Sequence, residues 1–264
     1  MRRRTVVVVF LGLLVNPWTA WADNTICKGA VFLVPDGSLH SGTFTAAGQL
    51  RWFRFAPKAG RSYSIGIENM SPTDLQPFVE FSEDNTRLES CAGPELTTLF
   101  TESHDPASKA VKGTIGSARA SFTAEKSVDV FFAISTGKVK QSFRIHVEET
   151  TMNSPWFTTM GSYETFYRIA NTTSGFVNAT LRLINEAGAT VATHSLTIAA
   201  DSVASVIYTG AAAPGMIGLA VADNTTGQAV LTHSGPPGAI AISGSWGDGK
   251  TLFVPIAFTA RRQR

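Results

Sequence analysis

The side chains best suited to proton transfer or metal ligation are the five histidines His40, His104, His146, His194 and His233. A zinc hydrolase of the His-Glu-x-x-His type sets two histidines four apart on one helical face, with the glutamate acting as base. No such spacing occurs here, and no histidine falls in a short cluster with Asp or Cys. His104-Asp105 is the nearest acidic pairing, but it precedes Pro106 in a turn-like stretch that reads as surface loop. His146 lies on the Arg144/Glu148 side of an alternating segment, where a solvated role is expected. A serine nucleophile requires a base and an oxyanion site beside its hydroxyl. The most conspicuous serine, in Gly244-Ser245-Trp246-Gly247, lacks the Gly-x-Ser-x-Gly spacing and the strand-to-helix elbow. That stretch reads instead as a glycine-rich hairpin or loop with Trp246 packed over small residues.

Carboxylates give two further constellations. Asp74, Glu80, Glu83 and Asp84 could gather around a calcium ion, which accepts oxygen ligands, but the calcium-loop pattern is missing and strand faces would separate them. Glu68 and Glu80 could be paired as the acid and base of a glycosidase, which demands a defined separation across a sugar cleft. No glycine-rich phosphate loop follows a strand and opens a helix. The expectation is therefore no catalytic residue, no metal ligand and no cofactor. For ligand contact the candidates are Trp156 and Trp246, because a broad ring contributes recognition without catalytic machinery.

These side chains belong to a chain whose start reads as an export signal. Arg2, Arg3 and Arg4 form a positive region, Val6 to Val15 an apolar stretch, and Ala20-Trp21-Ala22 the small residues of a cleavage site. Residues 1–22 are thus expected to be a signal peptide, with the mature chain in the periplasm or outside the cell. Its 242 remaining residues are enough for one large domain or two of ordinary size. Loss of three leader arginines turns 22 basic against 20 acidic residues into 19 against 20. The mature charge is near zero, which argues against nucleic acid as a partner. Arg261, Arg262 and Arg264 read as a solvated chain end. No other apolar run suggests a transmembrane segment after signal removal.

In an oxidising compartment, Cys27 and Cys91 are expected to form a disulfide. Closing that loop could stabilise the fold by about 4 kcal/mol. Asn69, Asn171, Asn178 and Asn224 each open a glycan-acceptor tripeptide, a pattern that an Asn- and Thr-rich chain also produces by composition.

Period-two alternation dominates both halves. Trp52, Phe53 and Phe55 precede a Pro57-Lys58-Ala59-Gly60 turn; then Tyr63, Ile65 and Ile67 alternate with Ser64, Gly66 and Glu68. Val128, Val130, Phe132 and Ile134 follow the same rule, as do Phe143, Ile145 and Val147. In the second half Val177, Ala179, Leu181 and Leu183 alternate, and so do Ile217, Leu219 and Val221, with Asn- and Gly-rich turns between runs. Such short strands predict an all-β chain of two β-sandwich domains in tandem. The expected layout is a β-sandwich over residues 23–149, a linker or seam over 150–160, and a second β-sandwich over 161–264.

Trp52-Phe53-Arg54-Phe55, Ala59-Gly60 and Tyr63-Ser64-Ile65, with Asp129 to Ile134 and Phe143 to Val147 as closing strands, resemble the bacterial pre-peptidase C-terminal type of β-sandwich. The resemblance spans residues 27–149 and implies a non-catalytic domain that accompanies secreted enzymes and aids substrate or surface binding. Asp74 stands alone where that family carries an Asp-rich stretch, so calcium is not expected. The second half, through Ser154-Pro155-Trp156-Phe157, Tyr163 to Thr173 and His233 to Ile240, is similar to uncharacterised β domains of secreted or envelope-associated bacterial proteins. The resulting expectation is an exported, non-catalytic binding or structural protein, with an envelope protein or a surface glycan as partner. A secreted hydrolase with a non-motif active site is the alternative, and a self-associating structural subunit a third reading.

Overall fold

The computed structural model describes residues 29–47, 49, 51–68, 78–81, 118–127, 129–134, 140–207, 216–248 and 252–260, with 78–81, 118, 120 and 207 described for the backbone alone. In the first half the strands are β1 (Val31–Phe32), β2 (His40–Thr43), β3 (Arg51–Phe55), β4 (Ser62–Glu68), β5 (Phe78–Phe81), β6 (Ala118–Thr123), β7 (Val130–Ile134) and β8 (Ser142–Glu149). In the second they are β9 (Met152–Thr158), β10 (Glu164–Asn171), β11 (Val177–Asn185), β12 (Thr190–Ile198), β13 (Val203–Ile207), β14 (Ile217–Gly218), β15 (Thr226–His233), β16 (Ile240–Gly247), β17 (Phe253–Ile256) and β18 (Thr259–Ala260). The all-β, two-sandwich expectation is met.

The first sandwich faces sheet β1-β3-β7-β5 against sheet β2-β8-β4-β6. Its interior is the alternating set read from the sequence: Phe53, Phe55, Val130, Phe132 and Ile134 from one sheet, and Tyr63, Ile65, Ile67, Phe143, Ile145 and Val147 from the other. Aromatic rings close the gap between them. Phe53 meets Phe132 within its own sheet at 5.6 Å and Phe143 of the opposite sheet edge-on at 5.9 Å. Phe55 reaches Tyr63 at 5.4 Å. Such pairs add to the free energy of area burial.

The second sandwich faces sheet β14-β13-β10-β16-β17 against sheet β12-β11-β15-β9-β18. Its core joins Tyr167, Ile169 and Val206 to Leu181, Leu183, Leu196, Ile198 and Leu231. The run Ile217, Leu219 and Val221 gives only the two-residue β14. Gly244-Ser245-Trp246-Gly247, read as loop, lies inside β16. Gly244 is paired with Tyr167, and a Cβ there would sit 2.7 Å from the ring carbon Cδ1 of this fully buried tyrosine. Glycine is required at that point because the ring occupies the space.

Only Thr150 and Thr151 separate β8 from β9, and both are fastened to the start of β4. Thr150 N donates to Ser62 O at 2.8 Å, the Thr150 hydroxyl donates to the Ser62 hydroxyl at 2.9 Å, and Ser62 N donates to Thr151 Oγ1 at 2.9 Å. Beside them the buried Glu149 carboxylate accepts from Arg61 at 3.2 Å through both oxygens. From the other half, the Arg182 guanidinium of β11 donates to the Gly60 carbonyl in the turn before β4.

The expected Cys27–Cys91 disulfide is corrected. No disulfide stands among the described residues, and both cysteines lie outside them. The first core closes through the ring contacts above, and the bridge is withdrawn. Residue His146 is a second correction: it is 7% exposed rather than solvated. Its cross-strand partner is Gly66, and the imidazole lies in the space where a Cβ of Gly66 would be. Burial, reinforced by the Arg119 cation, pushes its pKa below the ordinary histidine value, while Glu68 and Glu148 oppose the shift.

Candidate functional site

Strand alternation places every second residue of β10 on the face of its sheet turned away from the core. Thr165, Tyr167, Ile169 and Asn171 are buried, so Phe166, Arg168 and Ala170 stand on the outer face. Antiparallel registers set their neighbours. Arg168 is flanked by Ser205 of β13 and Ser243 of β16; Phe166 is paired with Ser245, and Ala170 with Val203 and Ala241. At the usual strand spacing each serine lies about 4.8 Å from the arginine backbone, and the row from Phe166 to Ala170 runs about 13 Å.

This face is hollowed into two adjoining depressions of about 280 and 390 Å³ that share Arg168 and Ser243. The first is walled by Phe166, Phe253 and Met216; the second by Val203, Ala241 and Ile242. The Phe253 ring is 58% exposed and contacts Phe166 at 6.4 Å between centroids. Among the described residues, the Arg168 guanidinium has no hydrogen-bond or ion-pair partner, and the hydroxyls of Ser205, Ser243 and Ser245 are likewise unengaged. Among the described residues, Arg168 is the sole charged side chain lining either depression. Glu164 shares its face but lies two pairs further along β10, beyond Phe166. The arrangement offers one cation, a line of free hydroxyls and exposed aromatic surface, with no group placed as base or nucleophile beside another.

The two tryptophans singled out by the sequence lie elsewhere. Trp156 is 40% exposed on β9, at an irregularity where the register with β15 shifts between Gly227 and Ala229. A bulge admits Pro155 and turns the next ring outward. The backbone there is held by Ser154, whose hydroxyl donates to Trp156 O at 3.1 Å, and by the Tyr167 hydroxyl, which donates to the same oxygen at 3.4 Å. Trp246 is partly buried, edge-on to Tyr163 at 5.1 Å and packed against the second core. The two rings belong to opposite sheets, and no ring contact joins them. Neither lines the groove. Sequence reasoning missed Arg168, Ser205 and Ser243; the signal available was an arginine at an outward position of β10, between Phe166 and Ala170 on the same face.

Of the carboxylates considered for a cation or for hydrolysis, Asp74, Glu83 and Asp84 lie outside the described residues, as does the side chain of Glu80. His104 also falls outside them. Glu68 lies 4.0 Å from His146 Nδ1 and 3.8 Å from Arg144. Among the described residues no group of three or more His, Cys, Asp or Glu side chains converges as a metal site would require. His233 is buried near the joint between the halves, and burial pushes its pKa down to about 4, partly offset by the carbonyls of Gly235 and Thr150. Among the described residues no helix is long and apolar enough to cross a membrane.

No protein-family model matches the chain, and no curated protein matches it. Among solved structures it is similar to the full extracellular region of zebrafish Gpr126/Adgrg6, at 9% identity and a TM-score of 0.24. The match covers 91% of this chain and 37% of that one, so the chain spans well under half the length of that structure. At that score the likeness contributes nothing to the functional reading.

Proposed function

We propose that this chain is an exported, non-catalytic binding module whose ligand-contacting face is the groove on the outer side of β10, β13 and β16. The observation that carries the reading is the Arg168 guanidinium, without a partner among the described residues, set between two serine hydroxyls likewise unengaged among them, in a hollowed, partly aromatic face. A cation left without a carboxylate keeps its full capacity for charge-assisted hydrogen bonds to an incoming anion. The amino-terminal Arg2-Arg3-Arg4, apolar and Ala-Trp-Ala series supports export of this module to the periplasm or beyond. Its partner is an envelope component, protein or glycan.

Two measurements test this. The purified mature chain, screened against envelope polysaccharides and envelope proteins, should bind at least one, and Arg168→Ala should weaken that binding. Binding untouched by Arg168→Ala would move the site, and reproducible turnover of peptide, ester or glycan substrates would replace the reading with a hydrolase. Fractionation of bacterial cells carrying the full chain should recover it outside the cytosol with residues 1–22 removed. Cytosolic protein with an intact leader would overturn export.

A further inference from the structure

We infer that the groove takes an acidic saccharide, with a uronic acid carboxylate on Arg168 and the sugar ring against Phe253. The inference rests on the reading of this outer face as the binding surface and adds the class of ligand. Three features of the face select that chemistry together. First, Arg168 is the lone charge lining it and has no partner among the described residues, so charge complementarity demands an anion. Second, Ser205 and Ser243 lie in register on either side, with Ser245 one row beyond, and all three hydroxyls are free. An aliphatic or aromatic acid would lay carbon over these hydroxyls and desolvate them without a compensating hydrogen bond. A sugar brings its own hydroxyls to exchange donors and acceptors with them. Third, Phe253 presents an exposed ring diagonal to Phe166, in the row of Gly247 and Glu164 at one end of the face. The apolar face of a pyranose can lie on such a ring while its edge remains hydrogen-bonded.

The open form of the face points the same way. Its depressions lie along a sheet surface, so a bound chain would keep much of its own hydration and could continue past both ends. Glu164 lies on the same face about 13 Å from Arg168 along β10, and a second carboxylate of the ligand is disfavoured at that end. The polymer should therefore run from Phe253 across Arg168 toward Val203, with one uronate on the arginine.

Calorimetric titration of the mature chain with a cellotetraose derivative carrying a single glucuronate tests this, with unmodified cellotetraose, glucuronate monomer and benzoate as comparison probes. Expected are binding of the mono-uronate tetrasaccharide that weakens as salt rises, a loss of about tenfold or more in Arg168→Ala, a smaller loss in Phe253→Ala, and much weaker binding of the other three probes. Circular dichroism and melting of each variant should match the parent, because both side chains are exposed. Equal binding of cellotetraose, or equal binding of benzoate, overturns the acidic-saccharide class. Failure of the mono-uronate tetrasaccharide to bind also overturns it. If an envelope component from the wider screen still binds through Arg168, the groove survives and only the ligand class falls; if nothing binds there, both fall.

Discussion

Arg168 is exposed and has no partner among the described residues, so its replacement should leave stability within about 0.5 kcal/mol of the parent while weakening the proposed recognition. Buried histidines behave in the opposite way. Burial lowers the pKa of both His233 and His146, to about 4 for His233, whereas in the unfolded chain they titrate near 6.5. For His233 the unfolded state therefore binds more protons between about pH 4 and 6.5, and stability falls as pH drops through that window; the lowered pKa of His146 acts in the same direction. For His233 the full loss is about 3 kcal/mol at pH 4. Urea unfolding at pH 7 and pH 4 should show a smaller difference in His233→Gln than in the parent, and an unchanged difference would exonerate this residue. Asn171 is buried at the end of β10, its amide donating to the carbonyls of Gly175, Ile198 and Ala199 at 2.7 to 3.0 Å. Peptide mapping from a glycosylating host should find Asn171 unmodified in folded protein, with modification confined to other acceptors such as the exposed Asn178.

Strand β16 illustrates how an element is constrained from both faces. On the core side Gly244 leaves room for the Tyr167 ring; on the outer side Ser243 and Ser245 flank the groove. Gly244→Val should lower stability by about 2 kcal/mol or more and disturb the groove with it, measurable as a reduced melting temperature. Much of this architecture was legible in the chain. The alternation of Phe143, Ile145 and Val147, or of Leu181 and Leu183, is a local signal, and burial of one face follows from it. The groove was not legible, because Ser205, Arg168 and Ser243 come together only through long-range pairing of three strands. No pattern along one strand encodes which residue of another will stand opposite. His146 misled for the same reason: its outward position was correct, but Gly66 opposite it left a space that buries the ring. Trp246, read as a ring packed over small neighbours in a loop and as a ligand contact, lies instead in strand β16, edge-on to Tyr163, a partner remote in sequence.

At the scale of the molecule, the joint is where the two halves communicate. Glu149 is fully buried and serves Arg61, so Glu149→Ala should cost about 3 kcal/mol by leaving a guanidinium without its counter-charge. Arg182→Ala removes the contact from β11 to Gly60 and should broaden or split the calorimetric transition, because the halves would then melt less cooperatively. A transition of unchanged shape would mean that the Thr150-Thr151 joint alone couples them. That joint has no slack: two residues, both tied to Ser62, lead from the last strand of one sandwich into the first strand of the next. A tug on a long polymer seated in the second sandwich would thus pass along the backbone into the first as tension in a short cable, and the tandem would resist it as a single stiff bar instead of swivelling.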